Sequence, residues 1–189
     1  MTITFTRIDP ADPADRAALI DFMTGHDFPF HMGGRRTFEQ VEEAIADGAY
    51  RDEDNDSYWV EADVPGEAPP RRRIGFLRFE DLTDDTPVFD LRLATEYRGR
   101  GLGVEVLRAA TDHVFRTMPD VRRFEGQTRD DNVPMRTVLR RAGWVKEAHY
   151  RDGWPVPGGE PRASVAYAIL RRDWESGTTT PVPWDDEPA

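Results

Sequence analysis

The sequence predicts a mixed α/β domain (α+β in its irregular order) of about seven strands and about four helices. Three observations predict it. Alternating and helical periodicities follow in the order strand, two helices, three strands, helix, strand, helix, two strands. Glycine and proline interrupt the pattern at nearly every change. The 189 residues, 38% hydrophobic and 11% aromatic, suffice for one ordinary core. The order lacks the regular β-α alternation of a doubly wound dinucleotide fold.

Each element has a local reason. "ITFTRI" (3–8) alternates apolar with polar and reads as a strand, interrupted by Pro10 and Pro13. "PADRAALIDFM" places Ala17, Leu19, Ile20 and Met23 at helical spacing. "GHDFPFHMGGRR" breaks that pattern. A second helix starts at Thr37, which with Gln40 forms a capping-box pattern, and continues through Val41, Ile45 and Ala49. "SYWVEADV", "RIGFLRFE" and "VFDLRLA" are three strands, the first two separated by the loop "PGEAPPRR" (65–72). The next helix carries Val106, Leu107, Ala110 and Val114 on one stripe and stops before Pro119. After the strand "RRFEGQT", Asn132 caps a short helix with Pro134 in its first turn and Gly143 at its end. "WVKEAHYR" and "ASVAYAILR" are the last strands, joined by a Gly/Pro-rich loop. Residues 1–174 form the expected single domain, and 175–189 read as a disordered acidic tail.

Composition excludes several chemistries. Cys is absent, which removes disulfides, thiolate metal sites and cysteine nucleophiles. Ser57, Ser164 and Ser176 are the only serines, and none lies in a G-x-S-x-G turn. The four histidines form no H-E-x-x-H pair, so no metal site is expected. A net charge of -11 disfavours nucleic acid. It would favour a cationic substrate, or serve solubility alone. With no membrane-spanning run and no secretory pattern in "MTITFTRIDPAD", a cytoplasmic protein is expected.

The most informative stretch is "EYRGRGLGVEVLRAATDHVF" (96–115). Gly99, Gly101 and Gly103 alternate with Arg100 and Leu102, and a helix follows. The dinucleotide pattern G-x-G-x-x-G fails because Val104 stands where the third glycine belongs. The G-K-S/T of an ATP loop fails because there is no lysine here. Backbone N–H groups at a helix N-terminus still suit a pyrophosphate, with Arg98 and Arg100 adding charge at the rim. A plain strand-to-helix turn is the alternative.

"RGRGLG" resembles the Q/R-x-x-G-x-G/A motif of the GNAT acetyltransferase superfamily, with Arg98, Gly101 and Gly103 at its fixed positions. Asn132, followed eleven and twelve residues later by Gly143 and Trp144, resembles the family's second feature. "AYAILRRDW" resembles the ending of RimJ/RimL-type members. The resemblance implies a mostly antiparallel central sheet and acetyl-CoA as co-substrate. Main-chain groups at Leu91, Arg92 and Leu93 would meet the pantetheine arm, after a bulge that splays this strand from the next. The amides of Arg98, Gly99, Arg100, Gly101, Leu102, Gly103 and Val104 would hold the pyrophosphate. Asn132 would lie near the pantetheine or thioester, or serve as a helix cap, or both. Relatives are often dimers, so a homodimer is a further expectation.

Transfer of an acetyl group to an amine needs a deprotonated amine and a route for the leaving thiolate. Family members often carry a tyrosine acid where this chain has Leu139, and some a glutamate base where it has Gln127. Asp90 and Glu125, within apolar strands, are the replacement base candidates, with Glu80 beside them. Tyr150 is the replacement acid. Each also fits an ordinary strand position. The acceptor would bind at "GHDFPFHMGG", through His26, Asp27, Phe30 and His31, with Trp154 on the far wall. An N-acetyltransferase for a primary amine, either a protein N-terminus or a small cationic amine, is the leading expectation. A catalytically silent acyl-CoA-binding module is the alternative, and an interaction protein without ligand a third.

Overall fold

In the computed structural model, residues 2–31, 34–64, 66–67 and 71–185 are described. Half of the loop expected between the second and third strands, Met32 and Gly33 of the acceptor loop, and the last four residues of the tail lie outside them.

Among the described residues, seven strands form two antiparallel sheets. The first has the order β1-β2-β3-β4, from β1 (Ile3–Arg7), β2 (Asp56–Asp63), β3 (Arg71–Glu80) and β4 (Val88–Leu93). The second has the order β5-β7-β6, from β5 (Arg123–Arg129), β6 (Val145–Trp154) and β7 (Arg162–Leu170). The helices are α1 (Pro13–Gly25), α2 (Phe38–Ala46), α3 (Leu102–Thr117), α4 (Val133–Arg141) and a short fifth, α5 (Arg171–Ser176). The sequence pattern did not announce α5, because six residues are too few for a readable period. Thr180 donates its N–H and its hydroxyl to the Asp173 carboxylate, folding residues after α5 back onto it.

The strand register assigns the two faces of the first sheet. Trp59, Phe76 and Arg92 lie in line on one face, with Arg78 and Asp90 paired beside them. α1 covers this face: the Phe22 ring lies 5.7 Å from Trp59 and 6.4 Å from Phe76. Leu77, Phe79, Phe89 and Leu91 point to the other face. There α3 buries Val106, Leu107, Ala110 and Val114 completely, each stabilising by about 1.5–3 kcal/mol relative to exposure, Ala less. The expected caps are present. Thr37 and Gln40 form the reciprocal box, and Asn132 Oδ1 accepts the Met135 N–H at 3.2 Å.

The two sheets touch where β4 and β5 begin: Glu125 N–H bonds to Pro87 O at 3.1 Å. Beyond that point they run as separate ladders. The expected bulge in β4 is absent, because the β3–β4 register is unbroken from Val88 to Leu93. The register shift falls instead between β2 and β3, at Val60/Glu61. What fills the gap is a side chain. The Phe89 ring lies over Gly126 of β5, where a Cβ would come within 2.4 Å of Phe89 Cε1. Phe124 and Trp144 flank that ring at 5.4 Å each. Gly126→Ala must displace the wedge, so we expect it to cost about 1–3 kcal/mol, read as a lower urea midpoint. An unchanged midpoint would mean that the ring is free to move.

Candidate active site

The gap between β4 and β5 opens into a cavity of about 740 Å³. Its floor is Leu91, Leu93, Gln127 and Thr128, one rim is the glycine turn, and the other is Phe28 to His31.

The three glycines of the turn have different physical reasons. Gly99 (φ 70°) and Gly101 (φ 80°) have left-handed backbones that a side chain would strain. Gly103 is helical, but a Cβ there would lie 3.0 Å from Val138 Cγ2, so it lets α3 rest against α4. Gly101 caps α3 with no side-chain hydrogen bond, leaving the first-turn N–H groups to a ligand. This cradle fits a pyrophosphate.

The two arginines of the turn do not hang free at its rim. Arg98 donates from Nε to Leu93 O at 2.8 Å and from Nη1 to Asp27 O at 2.8 Å. It ties the end of β4 to the acceptor loop, with Phe28 beneath it at 5.0 Å. Arg100 pairs with Glu67 at 3.0 Å and does not line the cavity. Any phosphate contact at Arg100 is therefore a main-chain contact. Asn132 lines the cavity, but both ends of its side chain are engaged, Oδ1 as the helix cap and Nδ2 on Thr128 Oγ1 at 2.8 Å.

On the acceptor side the structure separates the candidates. Phe30, His31 and Trp154 line the cavity. His26 and Asp27 do not. The His26 ring contacts Thr95 Oγ1 at 3.2 Å and packs on Phe22, while Asp27 offers its carbonyl to Arg98. Both lie behind the wall that Phe28 forms.

The three proposed acid–base residues fare differently. Tyr150 is half exposed on β6 and does not line the cavity, so it is not positioned as the acid. Glu125 pairs with Arg123 at 2.5 Å, also away from the cavity. Asp90 is in the cavity wall, but it is a poor base. Burial alone would raise its carboxyl, yet the Arg92 charge and His31 outweigh burial and hold it well below the usual carboxylate range. Arg92 grips Asp90 with Nε at 3.0 Å and Nη2 at 2.7 Å. His31 Nε2 stands 3.0 Å from the other carboxylate oxygen.

Two other groups fit proton transfer better. His31 Nδ1 is buried and has no hydrogen-bond partner. With Nε2–H donated to Asp90, Nδ1 keeps a lone pair. Glu80 also lines the cavity, and burial pushes its carboxyl up, partly offset by Arg78 at 3.0 Å. The signal for Glu80 was an acidic residue closing an apolar strand. The signal for the His31–Asp90 pair was absent, since 59 positions separate them. Among the described residues no group of three His, Asp or Glu could hold a metal ion. Among the described residues no helix is long and apolar enough to cross a membrane.

A splayed strand pair feeding an uncapped glycine turn fits an extended, phosphate-bearing ligand. The family described as acetyltransferase (GNAT) domain matches residues 6–145, and the chain belongs to that family. No curated protein matches it. Solved structures of the spermidine N-acetyltransferase SpeG from Vibrio cholerae are similar in fold. The one in complex with CoA and spermine is 17% identical, with a TM-score of 0.68, covering 92% of this chain and 98% of that one. The dodecameric form is 16% identical, with a TM-score of 0.70, covering 94% and 98%. The form with manganese ions is 16% identical, with a TM-score of 0.69, covering 94% and 97%.

Proposed function

We propose that the protein transfers the acetyl group of acetyl-CoA to a primary amine, with His31 as the base. The observation that carries this reading is the unpartnered His31 Nδ1, buried in the cavity wall and backed by Asp90. Acetyl-CoA supplies a thioester-activated acetyl group, whose carbonyl carbon exchanges sulfur for the amine nitrogen. Gly99 and Gly101 and the first-turn amides of α3 hold its pyrophosphate. The exposed main chain at Leu91 and Leu93 flanks the pantetheine arm.

His31 Nδ1 takes a proton from the ammonium, freeing the nitrogen lone pair for attack. Asp90, 3.0 Å from Nε2, orients the ring, as a carboxylate does in a catalytic triad. No residue of this chain has to protonate the leaving sulfur, because a thiol of ordinary pKa near 8.5 departs readily as thiolate. Leu139, buried where relatives carry an acid, agrees with that. Tyr97 is the one tyrosine in the cavity wall, and its hydroxyl is engaged by Glu67 at 3.3 Å.

The RimJ/RimL-like ending supports an N-terminal amine as acceptor, while the spermine complex of SpeG supports a small amine. Residues 1–174 act as one catalytic domain in the cytoplasm, with self-association of the kind the dodecameric relative displays. Thiol release from acetyl-CoA, followed across a panel of peptides and small amines, tests the function. We expect turnover with at least one class. Tight CoA binding without turnover for any amine would establish a silent acyl-CoA-binding module instead.

A further inference from the structure

The cavity is basic, in a chain whose net charge is -11. Five arginines line it against two carboxylates, Glu80 and Asp90. Three of the arginines, Arg36, Arg78 and Arg92, belong to the acceptor side. Arg78 and Arg92 point to the α1 face of the sheet. Leu93 points the other way, 3.9 Å from where a Cβ on Gly103 of α3 would lie. These guanidinium groups therefore do not belong to the pyrophosphate cradle.

Their donors are not used up. The Arg92 side chain is only 6% exposed, and while Nε and Nη2 serve Asp90, its Nη1 has no partner. Arg78 gives Nη1 to Ala49 O and Nη2 to Glu80, and its buried Nε has no partner. Arg36 lines the same cavity and makes no ion pair among the described residues. A buried guanidinium N–H without an acceptor is costly, so a site that carries several is built to receive one. The acceptor chemistry that matches a guanidinium edge is an oxyanion.

We propose that the amine acceptor also carries an oxyanion, a carboxylate or a phosphate, held by Arg92, Arg78 and Arg36. This rests on the acetyl-transfer reading above and narrows its substrate class. His31 then faces the amine end and the arginines the acidic end of one small molecule or chain terminus. A polyamine meets the opposite situation, since its second ammonium would lie against Arg36 and Arg78, a like-charge contact that rejects it. This sets the local charge of the cavity against the expectation of a cationic acceptor drawn from overall charge, and the test decides between them.

Paired acceptors test this, with thiol release from acetyl-CoA as the readout. The pairs are α-amino acids against their amides, and phosphoethanolamine against ethanolamine, with spermidine as the cationic control. We expect kcat/KM to be higher for the oxyanion member of at least one pair by about tenfold or more. Arg36→Gln, at a half-buried and unpaired position, should shrink that ratio about tenfold without unfolding the protein. A ratio at or below one in both pairs, or spermidine as the better substrate, overturns the proposal and leaves acetyl transfer standing. No thiol release with any amine overturns both.

Discussion

Replacing Asp90 by Ala is expected to destabilise the protein by about 3–5 kcal/mol, because it strands a buried arginine. The Arg92 side chain is 6% exposed and gives two of its three nitrogens to that carboxylate. Without Asp90, the Phe28 ring, 4.9 Å away, and the more distant Glu80 carboxylate, itself paired with Arg78, are left to compensate the charge, and a cation–π contact is worth about 0.5–2 kcal/mol. A double variant, Asp90→Ala with Arg92→Met, should recover much of the loss, since removing both charges leaves nothing unpaired. The pH dependence has a definite sign. The folded carboxyl is held below its ordinary value. Its stabilisation is therefore fully present above about pH 4, the ordinary value. It is lost as pH falls through the folded pKa. Urea midpoints measured from pH 7 downward should fall more steeply for the wild type than for Asp90→Ala. A loss under about 1 kcal/mol at pH 7 would mean that water, not Asp90, satisfies Arg92.

The glycine turn, where we propose that CoA binds, was legible in the sequence because its requirements fall on the backbone. A left-handed residue at 99 and at 101 calls for glycine, and an uncapped helix start leaves its mark beside them. The opposite side was legible only in part: Phe30, His31, Asp90 and Trp154 could be named, but not the pairing that arranges the charges among them. Arg78 and Asp90 look like ordinary alternations along two strands. Only the register places them opposite one another and sets Arg92 beside them. Glu125 and Glu80 show the same gap. Both are carboxylates in apolar strands, yet Glu125 turns to Arg123 while Glu80 reaches the cavity wall. The sign of the site was hidden by averaging, since a net charge of -11 is spread over a surface that contains a basic cleft. The strand splay was expected from a bulge and comes from Phe89 over Gly126, a contact between residues 37 positions apart.

His31→Ala should lower kcat by about 10²–10⁴-fold, the usual worth of a positioned base. His31 sits in a tight turn, its N–H bonded to Phe28 O at 3.0 Å, and its ring stands edge-on to Phe28 at 5.6 Å. Asp90 holds one ring nitrogen at 3.0 Å, so the orientation of the other is set before substrate arrives. The rival base is Glu80, whose carboxyl burial raises toward a useful range. Glu80, however, spends one oxygen on Arg78, and that ion pair works against uptake of a proton. The two are separable. If His31 is the base, His31→Ala loses rate, added imidazole restores part of it, and Glu80→Gln changes kcat little. If Glu80→Gln removes the rate and His31→Ala raises only KM, then Glu80 is the base and His31 serves to seat the acceptor. Imidazole rescue decides the matter most directly, because a small base can fill the space left by an imidazole but cannot mend a distorted loop.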